Sequence, residues 1–225
     1  QVHSTVGFPL QSWGGAYYNN VHSGGTWDIF IAGFSNTGTL FWSTYYGGNG
    51  VDNAYCIRND NVGNIVVLGN TKSTNFTTLA TGNAYLDNTL DNPPSSTTDV
   101  VVLKFSNLGL LTWATYYGGS DSEYSAYPTY DNLEIDDCGN IYIGFETSSA
   151  NITTYDPGCS SYFDGSSNGS AGLNDQFVMR FSSGGVLLLA TYFGGSAMDW
   201  RCPIALDKNK NFYVAGEWCG GNPGS

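Results

Sequence analysis

Apolar and polar positions alternate along much of this chain, and the alternating stretch recurs. It runs from Asp28 to Gly48 as DIFIAGFSNTGTLFWSTYYGG, returns from Asp99 to Gly119 as DVVVLKFSNLGLLTWATYYGG, and returns again from Asp175 to Gly195 as DQFVMRFSSGGVLLLATYFGG. The later copies begin 71 and 147 residues after the first, with no gap inside the stretch. A fixed internal period decides architecture before any single residue does. In each copy the first arm has period two, the spacing of a β-strand. One face carries Phe30, Ala32 and Phe34, then Val101, Leu103 and Phe105, then Phe177, Met179 and Phe181. The opposite face is apolar in the first two copies (Ile29 and Ile31, Val100 and Val102) and mixed in the third (Gln176, Val178, Arg180). Strands that are apolar on both faces belong to a sheet covered on both sides.

Turn chemistry closes each stretch into a hairpin. Ser35-Asn36-Thr37-Gly38, Ser106-Asn107-Leu108-Gly109 and Ser182-Ser183-Gly184-Gly185 supply the residues that hairpin loops require. A second hairpin follows each Gly-Gly. In the first period it runs from Asn53 to Asp60 and from Asn64 to Gly69, and in the third from Trp200 to Asp207 and from Asn211 to Gly216. The second copy, Tyr124 to Asp136 and Asn140 to Phe145, carries five extra residues near Tyr127–Asp131, which predicts a bulge or a longer loop there. Each period therefore predicts four strands and no helix.

Four-stranded antiparallel sheets recurring along a chain point to an all-β fold of β-propeller repeats. A β-helix has a much shorter period, and tandem immunoglobulin-like sandwiches need about seven strands per unit. The whole chain, 1–225, reads as one propeller fragment of three periods, about 1–68, 69–144 and 145–215, followed by the start of a further turn. It begins and stops at nearly the same phase of the repeat, so the expectation is a piece of a larger propeller. With the hairpin after Gly-Gly as the inner pair, two sheets are complete, about 53–117 and 124–193. Residues 28–48 and 200–219 are then halves of two others.

The repeated signature resembles the SBBP β-propeller repeat of bacteria. The residues that carry the resemblance are Asp28, Gly38, Thr44-Tyr45-Tyr46-Gly47-Gly48, Asp60, Gly63-Asn64 and Gly69, with their equivalents. Lys210 stands where a turn glycine is expected, and Phe145 stands for Gly69. The resemblance implies a secreted or surface-displayed protein of bacteria that glide or export cargo by type IX secretion, and no enzymatic activity of the repeat itself.

Composition narrows the function further. Thirty glycines and sixteen tyrosines suit a turn-rich β fold. Seven Lys plus Arg against nineteen Asp plus Glu, a net charge of −12, argues against nucleic acid as partner. No apolar run is long enough for a transmembrane helix, and no signal peptide is visible at Gln1, which reads as a mature or internal segment. Five cysteines lack any CxxC pair, against a zinc site. Two disulfides, Cys202–Cys219 and Cys138–Cys159 with Cys56 left over, stand against the alternative that all five are free thiols in a packed fold. Such bridges would suit an oxidising, extracellular compartment.

Candidate chemistry is sparse. Asp207-x-Asn209-x-Asn211 spaces oxygen ligands somewhat as a calcium loop does, without the bidentate Glu. The competing reading is an Asp that caps its own turn, as at Asp60 and Asp136. Asp121 and Glu123, beside Gly118-Gly119, read as acidic turn tips in the same way. Three arginines at non-equivalent positions and two histidines give neither a carboxylate clamp nor a hydrolytic triad. The columns Trp42 with Trp113, and Tyr45 with Tyr116 and Tyr192, are either sugar-stacking platforms or the packing between units, and repetition in every unit favours packing. The expectation is a non-catalytic structural or adhesive module of an exported surface protein, without cofactor, that presents loops to a polysaccharide or another surface protein. The alternative is a carbohydrate-binding or carbohydrate-active propeller with its site in the central channel.

Overall fold

The computed structural model describes residues 7–91, 97–124, 131–167 and 173–218. These residues form strands and loops without any helix. The first period gives β1 (Ile29–Phe34), β2 (Leu40–Tyr46), β3 (Asp52–Asn59) and β4 (Ile65–Thr71). The second gives β5 (Asp99–Phe105), β6 (Leu111–Tyr117), β7 (Glu123–Tyr124), β8 (Leu133–Ile135) and β9 (Ile141–Thr147). The third gives β10 (Asp175–Phe181), β11 (Leu187–Phe193), β12 (Asp199–Trp200), β13 (Ile204–Leu206), β14 (Phe212–Val214) and β15 (Glu217–Trp218).

Sheets straddle the periods, as the hairpin phase predicts. One four-stranded antiparallel sheet has the order β3-β4-β5-β6, so the hairpin after one Gly-Gly pairs with the first hairpin of the next period. The next sheet has the order β11-β10-β9-β7, with β8 also on β9. Here the single strand β3 of the earlier sheet is replaced by two short ones that flank the insertion. Of the stretch that holds the insertion, residues 125–130 lie outside the described residues. At the chain's two ends β1 and β2 pair alone, and the last hairpin is the nested pairs β12–β15 and β13–β14. The break in that hairpin falls at Arg201, whose φ is 64°.

Local geometry repeats as closely as the sequence does. Each first hairpin has a register shift at the same place, Gly33/Phe34, Lys104/Phe105 and Arg180/Phe181. Each is closed by Gly38, Gly109 or Gly185 at φ near +80°, a conformation that costs glycine little. The outer edges of β2, β6 and β11 are met by the segment between hairpins, through isolated bridges Gln11–Ser43, Leu79–Ala114 and Tyr155–Ala190. Such cover blunts an edge that would otherwise pair with other chains. Thr44, Thr115 and Thr191 do one job in three places. Each Oγ1 accepts from a backbone N–H at 2.8 Å, that of Asn19, Asp87 and Asp164 respectively. Each hydroxyl donates to the carbonyl of the following tyrosine.

Sheet faces are buried against the next sheet by a recurring aromatic set. Trp42 packs on Phe105 with ring centroids 5.6 Å apart, and Trp113 on Phe181 at 4.9 Å. Tyr17 and Tyr46 lean on the same Phe105, as Tyr85 and Tyr117 do on Phe181. Each indole N–H donates at 2.8 Å to the carbonyl of Tyr17 or Tyr85, on the segment that precedes its own hairpin. The N–H groups of those tyrosines donate in turn to Gly109 and Gly185 of the following sheet. The strand β5, between two neighbours, is buried at every residue. In β1, Phe30 and Phe34 occupy the positions of Val101 and Phe105 yet are 45% and 61% exposed.

Thr115→Val removes the acceptor for Asp87 N–H while keeping the side-chain volume. Leaving that buried donor without a partner is expected to destabilise the chain by roughly 2 kcal/mol in urea unfolding, whereas the same change at exposed Thr39 leaves the midpoint within error.

Candidate functional site

The expected calcium residues form a turn. Asp207 Oδ1 accepts from the backbone N–H of Asn209 and of Asn211, each at 2.8 Å. Its Oδ2 accepts from the Asn211 side-chain amide at 2.7 Å and from the Tyr213 hydroxyl at 3.2 Å. Asn211 therefore turns its NH₂, not its oxygen, toward the carboxylate. Asp60 and Asp136 cap their turns with the same bonds to Asn64 and Asn140. These bonds hold the exposed carboxyl of Asp207 below the usual carboxylate range, the Asn211 amide foremost. The three residues are brought together, and the geometry is that of the self-capped turn.

Beside it, Asp136, Asp137 and Cys138 gather three oxygen and sulfur atoms at the neighbouring turn. That group already has a cation: Lys210 Nζ lies 2.5 Å from Asp137 Oδ1 and donates to Cys138 Sγ at 3.0 Å. Lys210 takes the position of a turn glycine and keeps its left-handed geometry, with φ of 67° against 85° at Gly63 and 79° at Gly139.

The expected disulfide between Cys138 and Cys159 is not formed, and both thiols are free and exposed. Cys138 is at the tip of the β8–β9 hairpin. The loop holding Cys159 has crossed to the far edge of the sheet, where Tyr155 meets Ala190 on β11. With β10 and β11 in between, at about 4.8 Å per strand, the two cysteines lie too far apart for a bridge. Cys56 is free and half-buried. Cys202 is a buried free thiol against the Phe177 carbonyl, and burial pushes its pKa up. Its expected partner Cys219 lies outside the described residues.

Four members of the aromatic columns are packing, and the fifth, Tyr45, is half-buried beside Phe8 and His22. Trp42, Trp113, Tyr116 and Tyr192 are at most 2% exposed. Tyr116 and Tyr192 accept from the N–H of Phe76 and Ile152 and donate to the carbonyls of Ser73 and Ser149. The exposed aromatic surface lies elsewhere. A cleft of about 410 Å³ is lined by Phe193, Trp218, Gln176, Asp199 and Glu217. Trp218 is 60% and Phe193 46% exposed, and Tyr162 stacks on Phe193 at 5.7 Å. Arg201 pairs with Glu217 at 3.3 Å.

A repeated acidic corner, which the sequence reading missed, lies at the Gly-Gly that ends each copy of the repeated stretch, Gly47-Gly48, Gly118-Gly119 and Gly194-Gly195. The glycines are not needed there for φ, since none of the six takes a positive value. They are needed for space. A Cβ on Gly118 would stand 2.7 Å from Asp99 Oδ1 and 2.6 Å from Glu123 Oε2. On Gly47 it would stand 2.8 Å from Asp28 Oδ1 and 2.7 Å from Asp52 Oδ2, and on Gly194 3.1 Å from Asp175 Oδ1 and 2.5 Å from Asp199 Oδ2. Two carboxyl groups thus converge over each first glycine. The second acid of each pair accepts the N–H of the second glycine, Gly48, Gly119 or Gly195. Glu123, read from sequence as an exposed tip, is fully buried. Burial raises the pKa of Asp28, Asp52, Asp199 and, most strongly, Glu123, and pushes Asp99 up to about 7. The spacing of 24 residues between the partners, kept in all three copies, was the available signal.

The chain matches no family model and no curated protein.

Replacing Lys210 by glycine relieves the left-handed backbone and gives up an exposed ion pair with Asp137. The pair is worth little in water, so Lys210→Gly is expected to stabilise by about 1 kcal/mol, read as an upward shift of the thermal midpoint.

Proposed function

We propose that this chain is a non-catalytic structural and adhesive module of an exported bacterial surface protein, a fragment of a larger β-propeller that presents its loops for binding. The observation that carries this reading is the repeated contact set between sheets: the two tryptophans, their indole bonds and the glycine carbonyls that receive the tyrosine N–H groups. Side chains that recur from the first unit to the second hold one unit to the next. What varies between units is loop, and the loop of the third period projects Tyr155 and Tyr162 at 47% and 58% exposure. The resemblance to SBBP repeats supports the propeller, the bacterial origin and the cell-surface location. The acidic, Asn- and Thr-rich composition accords with an extracellular setting.

A carbohydrate-binding reading is favoured by one feature, the cleft with Trp218 and Phe193 beside Asp199, Glu217 and Gln176. Exposed rings beside polar groups are the chemistry that receives a sugar face and its hydroxyls. One experiment separates the two readings. The purified chain is titrated with a panel of soluble bacterial and plant polysaccharides by affinity electrophoresis. The variants are Trp218→Ala and a double change, Tyr155→Ser with Tyr162→Ser. Retardation that survives Trp218→Ala and is lost in the loop variant supports loop-borne adhesion. Loss of retardation in Trp218→Ala, by tenfold or more in Kd, transfers the function to the cleft. Turnover of any polysaccharide overturns the non-catalytic reading.

A further inference from the structure

The corner formed by Asp99 and Glu123 holds two carboxyl groups that are both 0% exposed. Glu123 is already an acceptor on each oxygen: Oε1 takes the Thr147 hydroxyl at 2.9 Å, and Oε2 takes the Gly119 N–H at 3.2 Å. Asp99 Oδ2 takes the Asp91 N–H at 3.1 Å. Asp99 Oδ1 is buried without a hydrogen-bond partner and lies over the same glycine, Gly118, as Glu123 Oε2. The charged groups that face Asp99 are Asp87 and Asp91, both acids, besides Glu123 itself. Near Glu123 the phenol of Tyr192 is a further titratable group. The ion pairs of lysine and arginine among the described residues run to Asp131, Asp60, Glu217 and Asp137.

Two ionised carboxylates in such contact, away from water and cations, repel strongly. Hydroxyl and amide donors occupy both oxygens of Glu123, so the open site for a proton between the acids is on Asp99. The bare Oδ1 of Asp99 is where one proton relieves the pair. We propose that Asp99 and Glu123 share a proton at neutral pH, with Asp99 Oδ1–H donating to Glu123 Oε2, so that alkali rather than acid loosens the junction between periods. Asp28 and Asp52 repeat the layout, with Asp28 Oδ1 again lacking a hydrogen-bond partner and His22 Nε2 at 3.8 Å as the nearest cation. Asp52 accepts from Thr71, Ser73 and Gly48. A calcium ion in the gap would want six to eight oxygens, and those of Glu123 are already engaged.

The sign of the pH dependence follows. Folded Asp99 keeps its proton up to about pH 7, while the unfolded chain loses it near pH 4. Between those values the folded state holds the extra proton, so stability falls as pH rises from about 4 to about 7 and then levels. The burial that raises Glu123 acts on the same shared proton, so the pair titrates as one unit.

The test uses the full chain in thermal melts from pH 5 to pH 8.5, together with infrared spectra in D₂O at pH 6. The expected results are a melting temperature several degrees lower at pH 8 than at pH 5 and a protonated-carboxyl C=O stretch at pH 6. Asp99→Asn, whose amide donates to Glu123 without titrating, is expected to flatten the pH dependence and weaken the band. If Asp99→Asn does not fold, Glu123→Gln is read the same way. Three results overturn the proposal: no protonated-carboxyl band in the wild-type chain, an undiminished pH slope in the folded variant, or a rise in melting temperature at pH 8 with millimolar CaCl₂ that EDTA reverses and MgCl₂ or NaCl does not reproduce. The last would mean that a cation, not a proton, sits between the acids.

Discussion

Neither face of the sheet β3-β4-β5-β6 can be left to water, because both faces of its central strands are apolar. Val100 to Phe105 is buried on both sides, and only a neighbouring sheet on each side provides that. The neighbour is reached through large rings. Trp42, Tyr17 and Tyr46 converge on Phe105, and Trp113, Tyr85 and Tyr117 on Phe181. An aromatic side chain buries on the order of 150–250 Å², so a few such rings per junction outweigh the other contacts there. The indole bonds to Tyr17 and Tyr85 fix register as well as energy, since the donor and its acceptor lie on different segments of one unit while the rings touch the next. Stability of this kind is additive along the stack, unit by unit and junction by junction.

The acidic corners work against that stability. A carboxyl group that is wholly buried costs free energy unless it is neutralised or richly hydrogen-bonded. Each second acid is compensated by a glycine N–H, with Ser and Thr hydroxyls added at Asp52 and Glu123. The first acids are compensated on one oxygen only at Asp28 and Asp99. What the corner gains is a tight exit from the second strand of each outer hairpin, with the chain folded over two glycines against polar side chains from both flanking strands. The same corner ties consecutive hairpins of different sheets: Asp99 opens β5, while Glu123 opens β7 of the next sheet and receives Asn70 of β4 at its carbonyl.

Long stretches of the fold were legible in the sequence because strand period, turn residues and repetition all agree. The hairpin at Ser35–Gly38 needs only local bonds, Gly38 N–H to Ser35 carbonyl and a glycine that accepts positive φ. The turn at Asp207 is equally local, and its self-capping was readable from Asp-x-x-x-Asn without any knowledge of the rest of the chain. The split of the Tyr124–Asp136 arm was foreshadowed by its five extra residues, which the single register of β9 cannot absorb in one strand.

Other features depended on tertiary placement. Gly47-Gly48 and its copies serve close approach to acids from two other segments, without any positive φ. Glu123 read as an exposed tip because its neighbours in sequence are Ser, Asp and Gly, and only the β7–β9 pairing puts it inside. Cys138 and Cys159 are close in sequence and are separated by the loop's passage to the far edge of the sheet. The sequence by itself determined period, strand order within each hairpin and turn geometry, because these rest on bonds among near neighbours. Only the tertiary structure decided which side chains meet across sheets, because that depends on where each sheet edge lies once the units are stacked.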